Sequence, residues 1–219
     1  MNFMKKILTT AFLLLVFLSA IAFVWLKTAP EGKRLAAIHG PKSEKPYSIT
    51  KSTIKKLEDK AGEAKTFAEK NNYNNAICFL VDMSLPSGEN RFFVYDLTKD
   101  SIQKAGLVTH GHCNERWLEG RKFGNQPGCG CTSLGKYKIG YKYNGQFGVA
   151  FKLYGLDKTN TNAFARAVVL HSHECVPESE VKDEICQSAG CPTVAPGFLL
   201  QLKSLITTST KPILLWIFE

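Results

Sequence analysis

After residue 74 the chain is divided into short runs rich in β-branched and aromatic residues, each ended by turn formers, and this pattern limits the fold more than any other feature. The runs span 76–83, 91–97, 106–110, 136–143, 149–153, 167–171 and 213–218. Lengths of five to eight residues suit strands and are short for helices. Gly88, Gly111, the cluster from Gly124 to Gly130, and Asn144-Gly145 punctuate them. Asn144-Gly145 between two aromatic-rich runs predicts a hairpin. Pro196 to Ile206 reads as a helix, with Phe198, Leu199, Leu202 and Ile206 on one face. The expected fold is mostly β, a barrel or sandwich with one or two short helices. Its 219 residues, 44% of them hydrophobic, support one good core.

The first 74 residues are organised differently. Lys5 and Lys6 precede an uncharged run from Ile7 to Leu26, closed by Lys27. As a helix this run spans ~30 Å of hydrocarbon at ~1.5 Å per residue. Residues 1–27 therefore read as an N-terminal membrane anchor or signal peptide. Ala20-Ile21-Ala22 has the small-x-small form of a cleavage site, yet Phe23 to Leu26 continue the apolar run past the usual h-region length. We read an uncleaved anchor with Lys5 and Lys6 in the cytoplasm. In either case the body lies outside the inner membrane. Residues 28–50, with Pro30, Pro41 and Pro46, read as a polar tether. Within 51–74, Ile54, Leu57, Ala61, Ala64, Phe67 and Ala68 recur at three and four, the face of an amphipathic helix packed on the domain edge.

Charge narrows the partners. The formal net charge is +9, but residues 1–70 carry +7 of it and residues 71–219 only +2. A nucleic-acid binder places its basic footprint on the folded domain, so that class is set aside.

The chemistry gathers between residues 166 and 194. The apolar run Ala167 to Leu170 ends in His171-Ser172-His173, and Ser188-Ala189-Gly190-Cys191 follows. A strand that delivers an imidazole to a Gly-Cys turn meets the needs of a Cys-His nucleophile pair. The His takes the thiol proton, and Gly admits backbone N–H groups to a developing oxyanion. His171 and His173 are both candidates for the base, and we read His171 as the one that meets Cys191. A Cys in a tight turn is more often a buried thiol or half of a disulfide.

The joint pattern of His-Ser, a spacer and Ser-x-Gly-Cys resembles the YkuD-like L,D-transpeptidases. So does Thr132-Ser133-Leu134-Gly135-Lys136-Tyr137, which is similar to the Thr-Pro-x-Gly-x-aromatic stretch of those domains. Gly190-Cys191-Pro192, with Asn162-Ala163 and Arg166 before the strand, is most similar to the murein L,D-transpeptidase catalytic-domain branch. The resemblance implies a catalytic domain over 75–219 that acts on peptidoglycan stem peptides. Cys191 would be the nucleophile and His171 its base. Ser172 would hold the imidazole tautomer through its carbonyl, Gly190 and Cys191 N–H would form the oxyanion hole, and Ser188 would fix the turn. Ala189 and Thr193 stand where many members carry basic or polar residues, which makes Arg166 the candidate for the substrate carboxylate. His173 is expected on the rim. His110, in His110-Gly111-His112, serves either turn chemistry or substrate contact. No cofactor or metal is implied, and a lipoprotein Lys is one candidate acceptor.

Seven cysteines in an exported chain leave one thiol over if six pair. Cys175 and Cys186 bracket the insert after His171 and are expected to staple it. Cys129 and Cys131 are too close for an easy mutual bridge, which makes Cys113 the partner of one, and Cys78 reads as a buried thiol. Two other classes share these residues. His110, His112, Cys113, Cys129 and Cys131 offer zinc donors in no strong spacing. A sortase also places His before Cys, but needs an Arg downstream, and no Arg follows Arg166. A domain that binds peptidoglycan without turnover is a further alternative. N-terminal sequencing of protein extracted from the envelope should show the Ile7 to Leu26 run retained; a start near Ile21 or Phe23 would instead make the body free in the periplasm.

Overall fold

The computed structural model describes residues 49–219. The expected anchor over 1–27, and the tether up to residue 48, lie outside the described residues. Among the described residues no helix is long and apolar enough to cross a membrane.

Helix α1 (Lys51–Asn71) begins at Thr50, whose side chain accepts from Thr53 N–H at 3.2 Å, and ends at Asn72 in the left-handed conformation, φ 59°. It buries Leu57, Ala61, Ala64 and Ala68, four of the predicted face. Ile54 is 39% exposed and Thr53 is buried instead, because the stripe facing the sheet ends one residue earlier.

The strands are β1 (Ile77–Asp82), β2 (Phe92–Asp96), β3 (Ser101–Gly106), β4 (Gly135–Gly145), β5 (Gly148–Gly155), β6 (Val169–Ser172), β7 (Thr193–Val194) and β8 (Leu214–Phe218). They form one sheet in the order β3-β2-β1-β8-β4-β5-β6-β7. Pairs β1–β8 and β6–β7 are parallel and the other neighbours antiparallel. The bridge Val108–Val194 joins the segment after β3 to β7, so the two ends of the sheet meet.

The central strands are apolar on both faces, which explains their continuous rather than alternating hydrophobicity. Phe79, Val81, Phe92, Val94, Leu215 and Ile217 enter one core with Phe198, Leu199 and Leu202 of helix α2 (Pro196–Thr208). Cys78, Leu80, Phe93, Tyr95, Leu214 and Trp216 enter the other, covered by α1. The helix α1 therefore covers a sheet face, rather than lying at the domain edge.

Two expectations shift. The predicted strand at 106–110 is extended backbone with a single bridge, while the real strand is the polar 101–106, half exposed at the sheet edge and thus without an apolar run. The hairpin turns at Gln146 and Phe147, since Gly145 pairs with Gly148, which sits at φ +82°. Asn144-Gly145 ends the strand instead, and an aromatic ring occupies the apex. The cysteines pair as expected, Cys113 with one of Cys129 and Cys131, and Cys175 with Cys186.

The bridges are Cys113–Cys131 and Cys175–Cys186. Cys78, Cys129 and Cys191 are free. Burial pushes the Cys78 thiol up to about 12, the inert structural thiol that the sequence suggested. Non-reducing peptide mapping should recover these two bridges, with Cys78 alkylated only after unfolding. Replacing Cys175 and Cys186 together by Ala should cost about 2–4 kcal/mol of stability, the usual range for losing a disulfide; recovery of Cys186 joined to Cys191 would contradict the pairing.

Candidate active site

Strand β6 carries His171 to one end of the sheet, and the turn 188–191 returns the chain to pair with it through β7, where His171 lies opposite Thr193. The turn depends on glycine. Gly190 has φ +109°, and a Cβ there would sit 2.5 Å from the Cys131 carbonyl oxygen. Neither the conformation nor the contact tolerates a side chain. Ser188 holds the turn from within: its hydroxyl donates to the Cys191 carbonyl at 2.7 Å and accepts from Gly190 N–H at 3.1 Å. Its own N–H donates to the His110 carbonyl at 2.9 Å, and its carbonyl accepts from His112 N–H at 2.8 Å.

Cys191 and His171 line one cleft of about 280 Å³ with Thr109, Phe147, His173 and Ser188. The half-buried thiol accepts from Val169 N–H at 3.5 Å and faces the Ala167 carbonyl at 4.0 Å. Ala167 is one of the few non-glycine residues in the left-handed region, φ 55°. Such strain persists where surrounding structure fixes it, and here it aims a carbonyl at the thiol. His171 is buried, and its Nδ1–H donates to the Ser172 carbonyl at 3.1 Å, which fixes the tautomer with the lone pair on Nε2. That lone pair accepts from the Thr193 hydroxyl at 3.0 Å, so among the described residues His171 has no hydrogen bond to Cys191. Phe147, at the hairpin apex, stacks on the imidazole at 5.1 Å and 18°.

The electrostatics favour a neutral pair. Burial raises the Cys191 thiol above its ordinary 9.0, opposed by the Val169 N–H and the charges of Arg166 and Lys152. Burial lowers His171 below its ordinary 6.5; the Ser172 carbonyl opposes this and His173 adds to it. A neutral imidazole with a releasable lone pair beside a neutral thiol can take a proton as the sulfur attacks. A pair of this kind can form and resolve a thioester.

Other predicted residues fall elsewhere. His173 is exposed on the rim as expected, its ring edge-on to Phe147 at 5.4 Å and its Nδ1 accepting from Cys175 N–H at 3.1 Å. His110 is not at the mouth. It is 1% exposed, with Nδ1 3.1 Å from Nη2 of the fully buried Arg91, and burial followed by that guanidinium pushes it down to about 4. Its carbonyl, and not its ring, supports the turn. Arg166 does not line the cleft either: it donates to the Gly124 carbonyl, the Ser133 hydroxyl and the Cys131 carbonyl at 3.0, 2.6 and 2.6 Å. Those acceptors direct the guanidinium into the fold. Gly190 N–H is taken by Ser188, which leaves Cys191 N–H as the expected oxyanion donor without an acceptor among the described residues. Cys113 and Cys131, two of the thiols a zinc site would use, are bonded to each other. Phe147 and Lys152 carried no signal in the sequence, while Thr193, two residues after Cys191, stood out only as a departure from the family pattern.

The chain is similar to the LD transpeptidase LdtMt1 solved with imipenem, at 12% identity, TM-score 0.39, over 65% of this chain and 59% of that one. It is similar to an L,D-transpeptidase from Mycobacterium smegmatis at 12% identity, TM-score 0.40, over 66% and 59%. A third is the helical cell shape determining protein Pgp2 from Campylobacter jejuni, at 14% identity, TM-score 0.40, over 73% and 56%. The chain thus spans 59% of the length of the first two. No curated protein matches significantly. The sequence model of the L,D-transpeptidase catalytic domain matches residues 48–216, which takes in both helices and every strand as far as the middle of β8. On that match the chain belongs to the L,D-transpeptidase catalytic domain family.

Proposed function

We propose that the chain is a cell-envelope L,D-transpeptidase that uses Cys191 to acylate itself with a peptidoglycan stem peptide. The observation that carries this reading is the shared cleft, in which the thiol and an imidazole with its tautomer fixed by the Ser172 carbonyl stand together. Substrate entry shifts the Thr193 hydroxyl from His171 Nε2 to the Cys191 carbonyl, 3.4 Å away, and exposes the base. His171 then takes the thiol proton as sulfur attacks the carbonyl of the third stem residue, at its bond to the terminal D-Ala. Cys191 N–H, carried on the Gly190 turn, stabilises the oxyanion. The imidazolium returns its proton to the D-Ala nitrogen, the C–N bond breaks, and a thioester remains. An amine deprotonated by His171 resolves it and regenerates the thiol. If the amine is the side chain of another stem's third residue, the product is a 3-3 cross-link. Water would give an L,D-carboxypeptidase, and a lipoprotein Lys would give protein attachment. Lys5, Lys6 and the run from Ile7 to Leu26 fit a body held on the outer side of the inner membrane.

Cys191→Ala should abolish turnover and acylation by a carbapenem while leaving the fold intact. His171→Ala should lower activity on the order of 100-fold to 10,000-fold, and far more than His173→Ala. Mass spectrometry of muropeptides from cells with and without the gene reads the product. Cross-links formed by the Cys191 variant would sink the reading, and a larger loss for His173 would move the base.

The buried pair also fixes the pH dependence. A base lowered below 6.5 stays neutral to lower pH, so the acid limb of acylation should fall below that value; the resting thiol, raised above 9.0, should be alkylated by iodoacetamide with a midpoint above it. A limb above 6.5 together with fast alkylation at neutral pH would point to a preformed thiolate–imidazolium pair instead.

A further inference from the structure

The outer face of the β4–β5 hairpin carries a row in which aromatic rings and ammonium groups are interleaved. Lys138 Nζ lies 4.9 Å from the centre of the Tyr154 ring, which stacks on Phe164 at 4.9 Å and 10°. Lys152 Nζ is 5.8 Å from Phe164 and 4.7 Å from Tyr143. Gly140 makes room for the row, since a Cβ there would collide with the Tyr154 ring. Phe164 is 49% exposed, and Tyr141, whose ring lies 6.4 Å from that of Tyr143, is 57% exposed. Among the described residues Lys138 and Lys152, the two ammonium groups of the row, take part in no ion pair. The face therefore combines exposed flat apolar surface with uncompensated positive charge, a combination that core packing does not explain.

Its position is close to the chemistry. Lys152 pairs with Val169 in the β5–β6 register, and Val169 N–H is the group that contacts Cys191 Sγ. The row thus lies one strand away from the thiol.

We propose that this face docks the glycan strand of peptidoglycan, a polymer of N-acetylated pyranoses whose lactyl-linked peptides carry carboxylates. Pyranose rings present C–H faces that stack on Phe164 and Tyr141. The ammonium group of Lys138 meets the carboxylates of neighbouring stem peptides. This deepens the transpeptidase reading and rests on it: the cleft takes one stem peptide, and the platform holds the polymer from which that peptide hangs. It also supplies the cationic recognition that Arg166, turned into the fold, does not.

The test uses the full chain and two readouts. In a Cys191→Ala background, co-sedimentation with purified sacculi should weaken about tenfold in the Phe164→Ala, Tyr141→Ala double variant, in line with the loss of two stacking contacts. Phe164→Trp should retain binding and report on folding. With Cys191 intact, the double variant should keep its kcat/KM on a free stem tetrapeptide within about twofold and lose it on sacculi. Unchanged sacculus binding, or an equal loss on both substrates, overturns the proposal. So does weakening by Lys138→Gln alone with the aromatic variant unaffected, which would define a plain polyanion patch. A chain that needs Phe164 and Tyr141 to bind sacculi but turns over neither substrate would leave the platform standing and remove the transpeptidase reading.

Discussion

The carbonyl of Cys131 is where three separate stretches of the chain are fastened together. It accepts from Arg166 at 2.6 Å, lies against Gly190 where no side chain fits, and belongs to a residue bonded to Cys113. The loop before β6, the turn bearing Cys191 and the excursion from 111 to 132 are therefore held at one point. The partly buried guanidinium is satisfied by neutral acceptors; without Arg166 the Cys131 carbonyl and the Ser133 hydroxyl each lose a donor, while the Gly124 carbonyl keeps the Ser133 hydroxyl. This makes Arg166 a residue that sets where the nucleophile stands. Its charge reaches the thiol as well, lowering a pKa that burial raises.

Burial has a second effect on the pair. In a site of low dielectric, separated charges cost more than they do in water, and the resting thiol and imidazole stay neutral. In the proposed mechanism the proton moves only when the sulfur has an electrophile to attack. Thr193 adds to this by occupying the Nε2 lone pair until something enters the cleft. Phe147 seals one side of the imidazole from water while leaving Nε2 facing the cleft.

Much of this was legible in the sequence, and what was missed shares a cause. Strands β1, β2, β4, β5, β6 and β8 could be read because their apolar or aromatic runs record burial. Cys191 and His171 could be singled out because a strand end meeting a Gly-Cys turn brings a thiol and an imidazole together, while the Ser172 carbonyl came from the family resemblance; the structure puts both side chains on one cleft and that carbonyl on Nδ1. The Cys175–Cys186 staple followed from two cysteines flanking a polar insert. Strand β3 was missed because an edge strand needs no hydrophobic run. Strand β7 was missed because two residues carry no pattern. Phe147 was hidden by an Asn-Gly pair two residues earlier that mimics a turn. Arg166 and His110 were given to substrate because sequence shows a polar side chain without showing its partner; Cys131, Ser133 and Arg91 became visible only in three dimensions.

Cys175 and Cys186 are not only a loop closure, for both line the cleft beside Cys191. One wall of the site is thus a covalent bond that forms only under oxidising conditions. A newly made chain, still in contact with a pool of reducing thiols, would hold its nucleophile and base on a fold whose cleft is unfinished. On the proposed envelope location, completion of the site would be tied to the journey of the chain and not to its synthesis, and the thiol would gain its finished cleft only on the oxidising side of the membrane.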